Sequence, residues 1–277
     1  MKTEEPIPLS PFHCPIPFRR LTRPEFDEMS RLVMAHVFAS QNELGRLCDE
    51  AVYQNDVALR LEAAGLGPAV KEVPITVAWR DFTKTYYLDL VVQAGFICEL
   101  KTVASLLKEH DSQLLGYLLL VNVPHGKLVN LRPPSVEYRT VNAVVAAEDR
   151  RVFSMATDCW QPQTSRCCEL LDLLKELLDA WGAFLDCHLY EETLIHFLNG
   201  EAKVQQRVPL VRAGFALGTQ TATLLTDTVA FRVTALAPGA CDGYENHLRR
   251  FLVLTPLTTL HWVNLHHHEL QLVTLTR

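Results

Sequence analysis

The stretch YYLDLVVQAGFICELKTV, residues 86–103, reads as two β-strands joined by the turn QAG. Aromatic and β-branched residues fill it, as they do on a half-buried pleated surface. Asp89, Glu99 and Lys101 interrupt it. A charged side chain inside an apolar strand is costly unless it is paired or bound to a cation. Glu99 and Lys101 stand two apart and so point to one face of their strand. If the strands pair antiparallel across the turn, Asp89 comes close to Glu99. Two converging carboxylates suit a hard divalent cation, Mg²⁺ or Mn²⁺. Lys101 beside them would hold a phosphate or orient a water, completing the parts needed for metal-assisted phosphodiester hydrolysis. Taken singly, the same residues fit a plainer account. Asp89 would cap the hairpin, Glu99 and Lys101 would form an ion pair, and Gln113 would be a solvated helix residue.

Working outward, apolar residues recur at helical spacing from about Pro24 to Ala64, and the glycines of AAGLG at 63–67 close that helix. VPITVAW then precedes the two strands already described. A helix is expected over about 104–119, followed by the strand KLVNLRP. The order is helix, three strands, helix, strand. Glu50 and Tyr53 lie one turn apart on the first helix, and Gln113 and Tyr117 lie at i and i+4 on the second.

This set, Gly45, Glu50, Tyr53, Asp89, Glu99–Leu100–Lys101, Gln113 and Tyr117, resembles the bacterial GxxExxY family of the PD-(D/E)XK nuclease-like superfamily over about residues 25–133. The family's glycine usually stands three residues before the glutamate, where this chain has Leu47, with Gly45 two residues earlier. The resemblance implies an α/β, restriction-endonuclease-like domain with a central mixed sheet flanked by helices. It further implies that Asp89, Glu99 and the Leu100 carbonyl ligate Mg²⁺ or Mn²⁺, with Glu50 completing the acidic cluster. Lys101 would position the attacking water or stabilise developing charge, and Gln113 would orient the nucleophile or a phosphate. Tyr53 and Tyr117 would be packing residues with a hydroxyl handle. The implied activity is a nuclease acting on DNA or RNA. The competing reading is a non-catalytic module of the same fold that grips nucleic acid or a protein.

The second half echoes the first. GAFLDCHLY at 182–190 matches GRLCDEAVY at 45–53, VPL at 208–210 matches VPI at 73–75, and WVNL at 262–265 matches LVNL at 128–131, at offsets of 137, 135 and 134. A nearly constant spacing points to an internal duplication. At those offsets Glu50 becomes Cys187, Asp89 becomes Thr223 or Leu224, Glu99 becomes Val233 and Lys101 becomes Ala235. The C-terminal half is therefore expected to be a degenerate copy with a core but no metal site. The expected division is an extended arm at 1–24, the intact domain at 25–145, a polar linker at 146–168 and the degenerate domain at 169–277. The two halves are expected to pack as an intramolecular pseudo-dimer in a monomeric chain.

Composition bounds the rest. The 277 residues are 48% hydrophobic and 21% charged, which suits ample core. The longest apolar run, LLGYLLLVNV at 114–123, is too short to span a bilayer, so no membrane is expected. The start MKTEEPIPLSPF lacks the basic and apolar segments of a signal peptide. The eight cysteines form no CxxC pair, and a reducing cytoplasm fits them. A net charge of −6 argues against broad electrostatic adhesion to nucleic acid. His266, His267 and His268 lack an acid or cysteine to complete a metal set and read as a solvated strand end. Trp160, Trp181 and Trp262 read as packing residues.

Overall fold

The computed structural model describes residues 11–277, which divide into two compact units, up to Ala147 and from Glu148 onward. Part of the expected arm, residues 1–10, lies outside the described residues. The described part of that arm contributes a short strand, β1 (Phe12–His13).

The first unit continues with α1 (Arg23–Leu44), α2 (Glu50–Ala63), β2 (Ala69–Trp79), β3 (Phe82–Val92), β4 (Phe96–Lys101), α3 (Lys108–Leu120), β5 (His125–Asn130) and β6 (Glu137–Asn142). The one helix expected over residues 24–64 is thus two. Gly45 ends α1 at φ 74°, a left-handed conformation that glycine adopts without a Cβ penalty, and Asp49 precedes the first turn of α2. The strands form one sheet in sequence order, β1-β2-β3-β4-β5-β6. All neighbours are antiparallel except β4 and β5, which α3 connects as a crossover. Phe26, Val33 and Val37 of α1 and Tyr53, Val57 and Leu61 of α2 close over Leu90, Phe96, Cys98 and Leu100. On the other face, Leu114 and Leu118 of α3 press against Gly126 of β5, where a Cβ would meet them at 3.0–3.2 Å.

The second unit opens with a 3-10 turn (Asp149–Arg151) and β7 (Ser154–Cys159). It continues with α4 (Ser165–Trp181), α5 (Cys187–Phe197), α6 (Glu201–Val204), β8 (Gln205–Arg212), β9 (Phe215–Thr226), β10 (Val229–Thr234), α7 (Pro238–Leu254), β11 (Thr259–His266) and β12 (Glu269–Thr276). The stretch 146–168, expected to be a linker, holds β7, which pairs in parallel with the outer edge of β12. Its side chains are almost all solvated, so its sequence lacks the apolar alternation that marks a strand.

Sheet order here is β7-β12-β11-β10-β9-β8. With β1 and β7 set aside, the two sheets share one order and one pattern of directions. The parallel pair β10–β11 stands where β4–β5 stands, and α7 where α3 stands. With the four-residue α6 also set aside, each unit is a mixed α/β layer structure: two helices, three strands, a helix and two strands.

Two side-chain clips recur as well. The Tyr53 hydroxyl donates to the Gly45 carbonyl at 2.6 Å, and the Tyr190 hydroxyl donates to the Gly182 carbonyl. Asn130 accepts from the Val103 N–H at 3.1 Å and donates to the Val103 carbonyl at 2.8 Å. Asn264 does the same to Leu236, at 2.7 and 2.9 Å. Asn130 ends β5 and Asn264 lies two residues before the end of β11, and each holds the chain just past the strand before the crossover.

These clips fix the equivalences and correct the expected ones. Lys101 pairs with Asn130 and Thr234 with Asn264, so Thr234 stands for Lys101 and Arg232 for Glu99, not Ala235 and Val233. Ala222 faces Arg232 when the β9–β10 register is extended by one residue, so it stands for Asp89 in place of Thr223 or Leu224. The crossover is one residue longer in the second unit, which a constant offset hides. Cys187 does stand where Glu50 stands, each being the first residue of its helix. Trp160, Trp181 and Trp262 are buried, as expected. Among the described residues no helix is long and apolar enough to cross a membrane, and all eight cysteines are free thiols.

Asn264 also accepts from the Thr234 hydroxyl at 2.8 Å. Asn264→Ala should strand that hydroxyl and both backbone groups of Leu236 in a buried position. We expect a loss of about 2–4 kcal/mol in urea unfolding. A loss below about 0.5 kcal/mol would show that the clip does not hold the crossover.

Candidate metal centre

The hairpin β3–β4 brings the acids together. Leu90 pairs with Cys98 and Val91 with Ile97, which sets Asp89 across from Glu99. Asp89 accepts a hydrogen bond from the Leu100 N–H at 2.7 Å. The Lys101 ammonium lies 2.7 Å from one Glu99 oxygen, Oε1, and 4.0 Å from Asp89 Oδ2. Glu99 is only 1% exposed, and its second oxygen, Oε2, is buried without a hydrogen-bond partner. A buried carboxylate oxygen left unpaired is destabilising and calls for a partner.

Glu50 enters from the first turn of α2. Its position depends on the α1–α2 corner, which Tyr53 closes on Gly45. Arg132 braces the same corner from beyond β5. Its guanidinium donates to the carbonyls of Arg46 at 2.6 Å, Cys48 at 3.4 Å and Thr102 at 3.3 Å. The loop that launches Glu50 is thereby tied to the residue after Lys101. On α3, Gln113 Nε2 donates to the Tyr117 hydroxyl at 2.9 Å. The charges of Glu99, Lys101 and Asp89 all act on the Tyr117 hydroxyl.

The electrostatics follow from burial and from a shortage of positive charge. Burial pushes the Glu99 carboxyl up, the neighbouring Asp89 adds to this, and Lys101 only partly offsets it, leaving a pKa of about 8. Asp89 is also raised, first by burial, although the Leu100 N–H and Lys101 oppose the shift. Glu50 is raised by burial and by the charges of Asp89 and Glu72, against the pull of Lys101. Burial works against the Lys101 ammonium, yet Glu99, Asp89 and Glu50 outweigh it and hold its pKa above the ordinary value. One lysine thus faces three partly buried acids. Oxygen donors in excess of positive charge, one of them unpartnered, fit a hard divalent cation.

Two residues of the cluster escaped sequence reasoning. Gln54, buried one turn after Glu50, donates a side-chain hydrogen bond that favours the Asp89 carboxylate. Its spacing from Glu50 was visible, but a glutamine in a helix has no distinctive signal. Glu72 lies on β2 and acts electrostatically on both Asp89 and Glu50. The His266–His268 run falls at the turn from β11 to β12, where Phe184 packs edge-on against His267 and His268. Among the described residues, a three-ligand grouping of metal-binding side chains occurs at Asp186, Cys187 and His188. Asp186 is already engaged there in capping α5 through the His188 N–H at 3.0 Å.

Comparison with known proteins agrees with the first unit's geometry. Residues 27–141 match the family model of the PD-(D/E)XK nuclease superfamily. That span takes in Glu50, Asp89, Glu99, Lys101 and Gln113. Comparison with curated proteins and with solved structures gives no match.

The raised acids make a stability prediction. A carboxyl with a higher pKa folded than unfolded holds its proton better in the native state. The stability it contributes is full below the ordinary carboxylate pKa and is lost as pH rises through the folded value. Metal-free protein should therefore lose stability between about pH 4.5 and about pH 8. Glu99→Gln should flatten that decline and raise the melting temperature at pH 8. Parallel melting curves for the two proteins across this range would contradict the assignment.

Proposed function

We propose that the first unit is a divalent-cation-dependent nuclease of the GxxExxY type that hydrolyses phosphodiester bonds in DNA or RNA. The observation that carries this reading is the buried, unpartnered Glu99 Oε2 beside Asp89, with Lys101 the cation that pairs with both acids. Asp89 and Glu99 would hold Mg²⁺ or Mn²⁺, with the Leu100 carbonyl and Glu50 as further donors. When bound, such an ion supplies Lewis acidity and lowers the pKa of its water.

The chain's own residues do the rest. Lys101 carries a fixed positive charge on the face where a scissile phosphate would approach, and it is held in place by Glu99. It orients the attacking water and offsets negative charge developing on the phosphate. Gln113 acts through Tyr117, whose hydroxyl it holds by a hydrogen bond. Gln54 and the Leu100 N–H favour the ionised form of Asp89 and hold it in place. The second unit, with Ala222, Arg232 and Thr234 in place of Asp89, Glu99 and Lys101, serves as a structural copy in an intracellular, monomeric protein.

Asp89→Asn should abolish cleavage of labelled DNA and RNA while leaving the melting temperature equal to or above that of the wild type, because it relieves like-charge crowding. A steep fall in that temperature would make Asp89 a structural residue instead. Lys101→Met should keep Mn²⁺ binding by calorimetry while turnover falls about 10²–10⁴-fold. An unchanged rate would assign Lys101 to a simple ion pair.

A further inference from the structure

Among the described residues, Glu72 is the one in the middle of a first-unit strand with a left-handed backbone, at φ 49°. Lys71 pairs with Leu90 and Val73 with Leu88, so Glu72 sits opposite Asp89 in the β2–β3 ladder. The positive φ distorts the backbone of β2 at this point. Leu90 belongs to the core under α1 and α2. Tyr86, four residues back on β3, packs against Tyr117 of α3 with ring centroids 5.8 Å apart and planes tilted by 58°. Unbroken alternation would place Leu90 and Tyr86 on one face. The positive φ of Glu72 falls between their ladder partners, Lys71 and Ile75.

Glutamate gains nothing intrinsic from a positive φ, and Glu72 is exposed, so no burial offsets the strain. The second unit supplies a comparison. There Gln206 lies opposite Ala222, and neither Gln206 nor the adjacent Arg207 is among the described residues with positive φ. The acid opposite, the acid on β2 and the strained backbone are all missing together.

We propose that Glu72 is a further cation-holding residue of the first unit, taking a divalent ion jointly with Asp89 and Glu50. Two observations carry this inference beyond the mere crowding of acids. One is the position of Glu72 across from Asp89, with its charge acting on both Asp89 and Glu50. The other is the buried, unpartnered oxygen of Glu99 in the same cluster, which marks the place as built for a ligand. The inference rests on the metal-site reading above and adds a donor to it.

Calorimetric titration of Mn²⁺ into the full chain tests it, with wild type, Glu72→Gln, Glu72→Gly and Asp89→Asn compared in one buffer. Glu72→Gln and Glu72→Gly should each weaken Mn²⁺ binding about 10–100-fold. Glycine adopts φ 49° freely, so Glu72→Gly should melt at or above the wild-type temperature without metal, which excludes misfolding as the cause. Wild-type affinity in both Glu72 variants, with binding lost in Asp89→Asn, would overturn the role of Glu72 and leave the site intact. Wild-type affinity in Asp89→Asn as well would overturn the site and this inference with it.

Discussion

Three carboxylates and a single ammonium, partly or wholly withdrawn from water on adjoining elements, set the terms for the first unit. Uncompensated charge in a low-dielectric setting is expensive, so the surrounding fold must either neutralise the acids or hold them for a ligand. It does the second. The Leu100 N–H and Lys101 engage one side of the pair, while Glu99 Oε2 is left open. The corner that presents Glu50 is fixed by a tyrosine hydroxyl and by an arginine spanning three backbone carbonyls. The neighbouring hairpin is distorted at the level of Asp89. Stability is spent at one spot, and rigid hydrogen bonding surrounds it.

The second unit shows what the same framework does without that burden. It keeps the strand order, the parallel crossover, the glycine–tyrosine corner and the asparagine clip. In place of the acids it has Ala222 and Arg232, the latter 3.9 Å from Glu191. Thr234, at the Lys101 position, accepts a hydrogen bond from the Trp262 indole at 2.8 Å and joins the core. A position that sets Lys101 beside the acids in one unit serves packing in the other. The clips persist because they satisfy backbone groups of the crossover itself, whatever the chemistry nearby.

The fold was readable because its signals are local. Gly45 with Tyr53 and Gly182 with Tyr190 announced the repeated corner, and the charged residues in YYLDLVVQAGFICELKTV stood out against an apolar background. The break between α1 and α2 was missed because apolar spacing runs on through Gly45 in the sequence. Strand β7 was missed because a solvated edge strand looks like a loop. A fixed offset misassigned Arg232 and Thr234 by one residue, since side-chain period in a strand makes a single insertion decisive. Glu72 and Gln54 were not legible at all. A backbone inversion and a buried amide gain meaning only once the ladder places them beside Asp89.

The central claim is that Asp89 and Glu99 form a cation site. Crystals of the full chain grown with Mn²⁺, with diffraction data collected at a wavelength where manganese scatters anomalously, would test it most directly. The account predicts an anomalous peak within bonding distance, about 2.1 Å, of carboxylate oxygens of Asp89 and Glu99. A map with no peak there, or with manganese only at Asp186–His188 or the His266–His268 turn, would contradict it.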